Sequence, residues 1–259
     1  RRHTRCLSDW SSDRVLFRSN LASTLTPQQK SDQLHRWADG VLGDIEKQRS
    51  DDPIARALVN TISTFQIPTS YFEAFLHSMA MDLTITEYQD FDALMEYVYG
   101  SAAVIGLQMV HVLGTLPGKK QEALVAAEKL GVAFQLANFI RDVGEDLDRG
   151  RVYLPINELA QFRVTRSDLE KRTITPEIIS ALQFQIDRVR DLQRQAAPGI
   201  ELLTSYARPC IRAASELYCG IVDEVERIDY QIFTKRAATS TWRRFSVAFP
   251  LALQSLALR

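Results

Sequence analysis

Gln135, Asn138, Asp142 and Asp146 are spaced three or four residues apart. On a helix such positions line one face, so this face carries two amides and then two carboxylates, one turn above the next. Arg141 and Glu145 flank the row, while Leu136, Ala137, Phe139, Ile140 and Val143 lie between its members. A polar stripe on an otherwise apolar helix is costly to bury unless it binds something. Asp142 and Asp146 offer oxygen ligands without thiols or a histidine cluster, which suits Mg²⁺, with Mn²⁺ as the alternative ion. Asn138 adds a neutral oxygen ligand, and Arg141 a planar fork that matches phosphate. The chemistry this pattern points to is metal-assisted departure of a diphosphate.

Spacing alone is a weak signal, because solvated helix faces often produce it. Asp187 and Asp191 form a second such pair, alternating with Arg188 and Arg190. That alternation reads as an exposed, salt-bridged face, and the second pair is assigned a structural role.

The neighbours of the first pair separate it from the second. The stretch Gln135–Pro155, with its exit Arg149-Gly150-Arg151-Val152-Tyr153-Leu154-Pro155, resembles the second aspartate-rich motif of the phytoene/squalene synthase family. The resemblance extends over residues 20–259. It implies an all-α isoprenoid-synthase helical bundle with a central cavity, and head-to-head condensation of two prenyl diphosphates in the presence of Mg²⁺. By the same resemblance Asp142, Asp146 and Asn138 hold metal, and Asn138, Arg141 and Tyr218 meet the diphosphate or the metal shell. Tyr97 matches a tyrosine lining the family's active site. Gln135, Tyr97 and the apolar residues Ala102, Ile105, Gly106 and Leu136 would shape the path of the cation.

Stepping along the chain, the elements that must carry these residues read as helices. Thr26-Pro27-Gln28-Gln29 resembles a capped helix start, followed by apolar residues at three and four from Leu34 to Ile45. Ser50-Asp51-Asp52-Pro53 starts the next, with Ile54, Leu58, Ile62 and Phe65 expected on its buried side. Pro68-Thr69-Ser70 caps a third, ending near Asp82. Asp90 caps a single long helix through about Leu113. Small residues at Gly100, Ser101, Ala102, Ala103 and Gly106 serve either close helix packing or a slot for a prenyl chain. This segment resembles a glycine-rich stretch of the family and departs from it at Ala103. A fifth helix, about Gln121 to Leu147, carries the aspartates. Thr175-Pro176-Glu177 starts a long amphipathic helix to about Tyr206, and Pro209 opens the last main one. No strand-like alternation, dinucleotide loop or repeat is present.

Composition is that of an ordinary globular protein, with 46% hydrophobic and 24% charged residues and a net charge of −1 among 259 residues. Near-neutrality gives no argument for nucleic acid as a partner. Cys6, Cys210 and Cys219 show no metal spacing or disulfide framework, which points to a reducing, cytoplasmic setting. No apolar run reaches the length of a membrane span. The C-terminal segment combines Lys235, Arg236, Arg243 and Arg244 with Trp242, Phe245 and an apolar run. It fits peripheral contact with the inner membrane face or a terminal helix docked on the core. Composition sets no oligomeric state.

Residues 1–19 carry five arginines and no helical period, and they resemble a translated sequencing adapter. They are expected to form a non-native or disordered leader ahead of a domain over 20–259. That domain is expected to lack the family's first aspartate-rich helix, because Asp39 and Asp44 fall on different helix faces. The expected activity is condensation of two geranylgeranyl diphosphates to phytoene, with this chain a weakly active or inactive fragment. The alternatives are a squalene or dehydrosqualene synthase using farnesyl diphosphate, and a non-catalytic helical interaction protein.

Overall fold

A computed structural model describes residues 26–257, and the regular structure among them is helical. The expected leader lies outside the described residues. Two isolated β-bridges, Glu87 with Val152 and Thr115 with Leu203, are the extended pairings among the described residues.

Helix α1, Pro27–Glu46, starts in the expected capping box. The Thr26 hydroxyl accepts from the Gln29 N–H at 3.2 Å, and the Gln29 side chain accepts from the Thr26 N–H at 2.8 Å. Helix α2, Pro53–Phe65, is capped by Asp52, which accepts from the N–H groups of Ile54 and Ala55 at 2.9 and 2.8 Å. Its buried side is narrower than expected. Val59 and Ile62 are buried, but Ile54 is 82% and Phe65 37% exposed. The reason is that α2 packs chiefly on α1, so one partner covers only one stripe of it.

Helix α3 spans Thr69–Met81 and α4 spans Phe91–Val98. The single helix expected from Asp90 to Leu113 is interrupted: Tyr99–Ala103 is a π-helical turn, after which α5 runs over Val104–Leu113. A close backbone contact sits in this turn. A Cβ at Gly100 would lie 2.0 Å from the Ala74 carbonyl oxygen and 2.2 Å from the Ser78 hydroxyl. Ser78 also donates to the Tyr97 carbonyl at 2.9 Å. The extra residue of the π turn re-aims the face that follows.

Helix α6, Lys120–Asp148, is the central element, and its middle is buried by Leu136, Ala137, Phe139, Ile140 and Val143. After an exit segment come the short helices α7, Ile156–Gln161, and α8, Arg166–Glu170. Helix α9, Pro176–Ile200, packs along α6. It ends before the expected Tyr206 because the next residues turn to meet another turn. Leu116 N–H donates to the Leu202 carbonyl at 2.8 Å, and Thr204 N–H to the Gly114 carbonyl at 3.2 Å. Gly114 sits at φ +74, a conformation that favours glycine.

The expected last main helix is two, α10 over Arg208–Cys219 and α11 over Ile221–Arg227, joined at Gly220. The Arg243 guanidinium crosses there, 2.7 Å from where a Gly220 Cβ would be, and pairs with Asp223 at 2.8 Å and Glu224 at 3.2 Å. Arg243 belongs to α12, Thr241–Ala257, which docks on α10. Docking covers one face only: Trp242, Phe245 and Phe249 stay 77%, 55% and 49% exposed and stack on one another.

By length and composition, Phe91–Leu113 and Lys120–Asp148 do reach the extent of a membrane span, contrary to the sequence expectation. Half of each apolar window is buried inside the fold, because these are the core helices that wall the cavity described below.

The glycine contacts yield a stability test. Gly100→Ala forces apart two backbones and should cost about 2–3 kcal/mol in urea unfolding. Gly40→Ala, on an open helical face with nothing within 4 Å, should instead gain about 0.5–1 kcal/mol. Equal effects at the two positions would refute the backbone-contact account.

Candidate active site

The site begins where α5 and α6 touch. A Cβ on Gly106 would lie 2.5 Å from the Ala127 carbonyl oxygen, and one on Gly131 would lie 2.7 Å from that of Ala102. One further antiparallel step brings Val110 and Ala123 into the same apolar cluster. Small residues therefore allow the two helices to pack closely, and a space lies beside the contact.

That space is a cavity of about 320 Å³. Its walls come from α5, α6, the end of α9 and α10. Ala102, Ile105 and Gly106 line it. Its far end closes over Val110, Leu113, Ala123 and Leu203, below which the two turns are stitched by the Thr115–Leu203 bridge. Its near end carries Gln135, Asn138 and Tyr218. The Tyr218 ring stacks on Phe134 with centroids 4.9 Å apart. Burial raises the Tyr218 phenol's pKa, against the pull of Arg141 and Arg244. On the wall nearby, the buried Ser101 hydroxyl has no hydrogen-bond partner among the described residues.

Beyond Asn138 the α6 face continues as a charged ridge. Asp142 accepts from Arg141 Nε at 2.7 Å and Nη2 at 2.5 Å. It also accepts from Arg236 Nε at 3.2 Å, and that guanidinium reaches Glu145 at 3.2 Å as well. Asp146 is 8% exposed and has Arg149 at 3.5 Å. Its pKa is raised to about 7, first by burial and then by the charge of Asp142, with Arg149 and Arg151 acting the other way. Gly144 lets the segment carrying Arg236 settle on the ridge, since a Cβ there would lie 2.8 Å from the Ile232 carbonyl oxygen.

Gln135, Asn138, Arg141, Asp142, Asp146 and Tyr218 are thus placed along one face or its rim. Tyr97 and Leu136 are placed elsewhere. Leu136, 2% exposed, is packed in the core rather than on the cavity wall. Tyr97, 3% exposed, donates to the Asp82 carboxylate at 3.1 Å. Tyr153 donates to the same carboxylate at 3.2 Å, and Arg151 donates to the Asp82 carbonyl at 2.5 Å. Tyr153 in turn stacks on Phe139 of α6 at 4.2 Å, so this buried knot holds the rotation of the ridge helix. Burial raises the Tyr97 phenol well above its ordinary range.

Sequence reasoning missed Arg236 and the Asp82 knot. Arg236 was read as part of a basic terminal segment, and only the fold brings it to Asp142 from 94 residues away. The second pair behaves as a surface feature: Asp191 pairs with Arg194 at 3.1 Å. The arginines between that pair reach other helices, Arg188 to Glu158 at 2.5 Å and Arg190 to Glu226 at 2.6 Å.

The donor set fits a hard divalent cation. Asp142, Asp146 and Asn138 present oxygens only, and burial, with the charge of Asp142, favours a proton or a cation at Asp146. Among the described residues no group of three or more His, Cys, Asp or Glu side chains converges to hold an ion. The ridge therefore offers two carboxylates to such an ion.

An all-helical bundle with a charged ridge at the rim of an apolar cavity is the isoprenoid-synthase architecture. The chain superposes on a dehydrosqualene synthase crystal structure with a TM-score of 0.81 at 23% identity, covering 95% of this chain and 83% of that one. A squalene synthase from Alicyclobacillus acidocaldarius gives 0.72 over 77% and 74% of the two chains, also at 23% identity. The family model for squalene/phytoene synthase matches residues 18–243, and the chain belongs to that family. It is 38% identical over 234 residues to phytoene synthase 1 of Solanum lycopersicum, covering 89% of this chain and 55% of that protein. It is also 38% identical to the 15-cis-phytoene synthase of Synechococcus elongatus, covering 78% of this chain and 68% of that one. The chain thus spans about half the length of the tomato relative it matches.

The ridge makes a pH prediction for the metal-free protein. Asp146 has a folded pKa raised above its unfolded value, so its ionisation opposes folding. The penalty is absent below pH 4, grows between 4 and about 7, and is complete above. In EDTA, Asp146→Asn should therefore stabilise the chain by about 2–4 kcal/mol at pH 8 and by little at pH 4. Added Mg²⁺ should raise Tm for the wild type at pH 8 and leave that variant nearly unmoved. A gain independent of pH would contradict the placement of Asp146.

Proposed function

We propose that the chain carries the catalytic core of a prenyltransferase that condenses two geranylgeranyl diphosphates head to head, through a cyclopropyl intermediate, to phytoene. The observation that carries this reading is the junction of the two-carboxylate ridge with the apolar cavity, at Asn138. A prenyl diphosphate has the same division, a highly charged head and a long apolar tail.

Asp142, Asp146 and Asn138 would hold Mg²⁺ or Mn²⁺, which when bound supplies positive charge to the leaving diphosphate oxygens. The chain's own residues account for the remainder. Arg141 and Arg236 present guanidinium groups at the ridge, and Tyr218 presents a phenol, protonated at neutral pH and so able to donate a hydrogen bond. The apolar wall from Ala102 to Gly106 binds the tail and excludes water from an allylic cation once the diphosphate has left. Gln135 places its amide at the same rim. Tyr97 acts indirectly in this reading, by fixing α6 through Asp82 and Tyr153.

The family's first aspartate-rich helix belongs to the proposal as the partner of Asp142 and Asp146. A squalene or dehydrosqualene synthase using farnesyl diphosphate remains the second reading, supported by the solved structures whose fold the chain shares. A non-catalytic interaction protein would need neither ridge nor cavity. We place the protein in the cytoplasm, with the exposed Trp242–Phe245–Phe249 face of α12 as the surface for peripheral membrane contact.

The test is product analysis with C20 and C15 diphosphates and Mg²⁺. The chain as it stands should act slowly. Joining a family DxxxD helix upstream should speed diphosphate release by about 100-fold or more, and Asp142→Ala or Asp146→Ala should abolish that gain. Phytoene from the C20 substrate is the expected product. A C30 product formed in preference would favour the second reading, and no turnover in any form would favour the third.

A further inference from the structure

Each oxygen of the Asp142 carboxylate accepts from two guanidinium groups. Oδ1 takes Arg141 Nε at 2.7 Å and Arg236 Nε at 3.2 Å, and Oδ2 takes Arg141 Nη2 at 2.5 Å and Arg236 Nη2 at 3.5 Å. A carboxylate offers about four lone-pair sites, so two forks engage them all. A divalent cation such as Mg²⁺ coordinates those same lone pairs at roughly 2.0–2.1 Å, and it cannot share them with N–H donors. One guanidinium must yield before a metal reaches Asp142.

The two are not equally held. Arg141 adjoins Asp142 on α6, its side chain is 7% exposed, and it makes the shorter contacts. Pulling it away would leave a buried charge without its partner, which is costly. The Arg236 side chain is 40% exposed and makes the longer contacts. It can turn into water at little cost, or onto Glu145, whose Oε1 already lies 3.2 Å from its Nε. Its backbone stays in place meanwhile, because Ile232 and Ala237 on either side are 4% and 2% exposed. A guanidinium that pivots on a fixed stem remains within reach of whatever binds the ridge. Its planar fork matches a diphosphate as well as a carboxylate.

We propose that Arg236 guards Asp142: its guanidinium occupies the lone pairs a metal needs, and a diphosphate admits the metal by drawing that guanidinium off the carboxylate. The inference rests on the prenyl diphosphate reading above and adds to it an order of events at the ridge. Metal alone binds weakly, because it must displace a cation from Asp142. Diphosphate and metal bind together, because the departing guanidinium removes a positive charge that the metal restores. Arg236 is thus a positioning residue for the metal, and the two ligands raise each other's affinity by the same factor.

Mn²⁺ is the probe, titrated calorimetrically against the whole chain, alone and with saturating non-ionising geranylgeranyl thiolodiphosphate. In the wild type, the thiolodiphosphate should tighten Mn²⁺ binding by about 30-fold. Arg236→Gln should tighten binding of Mn²⁺ alone by about ten-fold and cut that coupling to about three-fold or less. Arg236→Lys keeps the charge and loses the fork, so it should still tighten Mn²⁺ alone by about three-fold. Arg56→Gln, which removes an equal charge from an exposed face of α2, should change neither quantity. Unchanged binding of Mn²⁺ alone in Arg236→Gln, at an unchanged melting temperature, would overturn the guard, and so would an Arg236→Lys protein indistinguishable from wild type. If Arg236→Gln does not fold, Arg236→Lys decides alone. Wild type that takes up no Mn²⁺ with the thiolodiphosphate refutes the metal–diphosphate reading itself, and the guard with it. Wild type that couples the two ligands but ignores both substitutions at Arg236 refutes the guard only.

Discussion

Two helices that touch backbone to backbone determine most of what this protein can do. Gly106 and Gly131 let α5 and α6 approach until a Cβ would collide with a carbonyl oxygen. Contacts this close fix register as well as distance, because neither glycine can be displaced without moving a helix. The cavity is the space left beside that contact, and its small wall residues follow from the same constraint. The ridge follows too, since α6 carries the cavity wall and the carboxylates on one continuous face. In the proposed reading, a tail against the lower half of α6 would thereby be aligned with a head at the upper half.

The second constraint is electrostatic. Asp142 and Asp146 lie one turn apart in a poorly solvated rim. The first is paired with Arg141 and Arg236, while the second has Arg149 at 3.5 Å and the field of Arg151. The fold supports this costly arrangement from beside it. The Asp82 carboxylate gathers Tyr97 and Tyr153, and the Tyr153 ring lies flat against Phe139. Arg151, which belongs to that knot, also donates its N–H to the Asp146 carbonyl at 2.9 Å. The polar knot thus packs beside the Asp146 end of the ridge, where Arg151 and Tyr153 lie within the field of the Asp146 carboxylate.

The sequence made much of this legible, for physical reasons that differ by region. The helices were readable where apolar period and caps agreed, as at Thr26, Asp52 and Thr175. The ridge was readable because helical spacing is local information. What a single helix cannot encode was missed. The π turn at Tyr99–Ala103 accompanies a contact of Gly100 with Ala74 on another helix, and the break at Gly220 depends on Arg243 arriving from α12. Ile54 was misplaced because periodicity marks an apolar stripe but not how much of it a partner will cover. Tyr97 was expected at the cavity from family likeness, whereas Asp82 draws its hydroxyl into the knot. Arg236 carried no local mark at all.

In the proposed reading, one helix face seats a diphosphate head above an apolar tail. A crystal structure of the chain with Mg²⁺ and a geranylgeranyl thiolodiphosphate tests this most directly. The diphosphate should lie against Asn138, Arg141 and Asp142, and the tail should run down the wall past Ala102 and Gly106. A tail lying outside the α5–α6 cavity, or a head group bound away from Asp142 and Asp146, would contradict it.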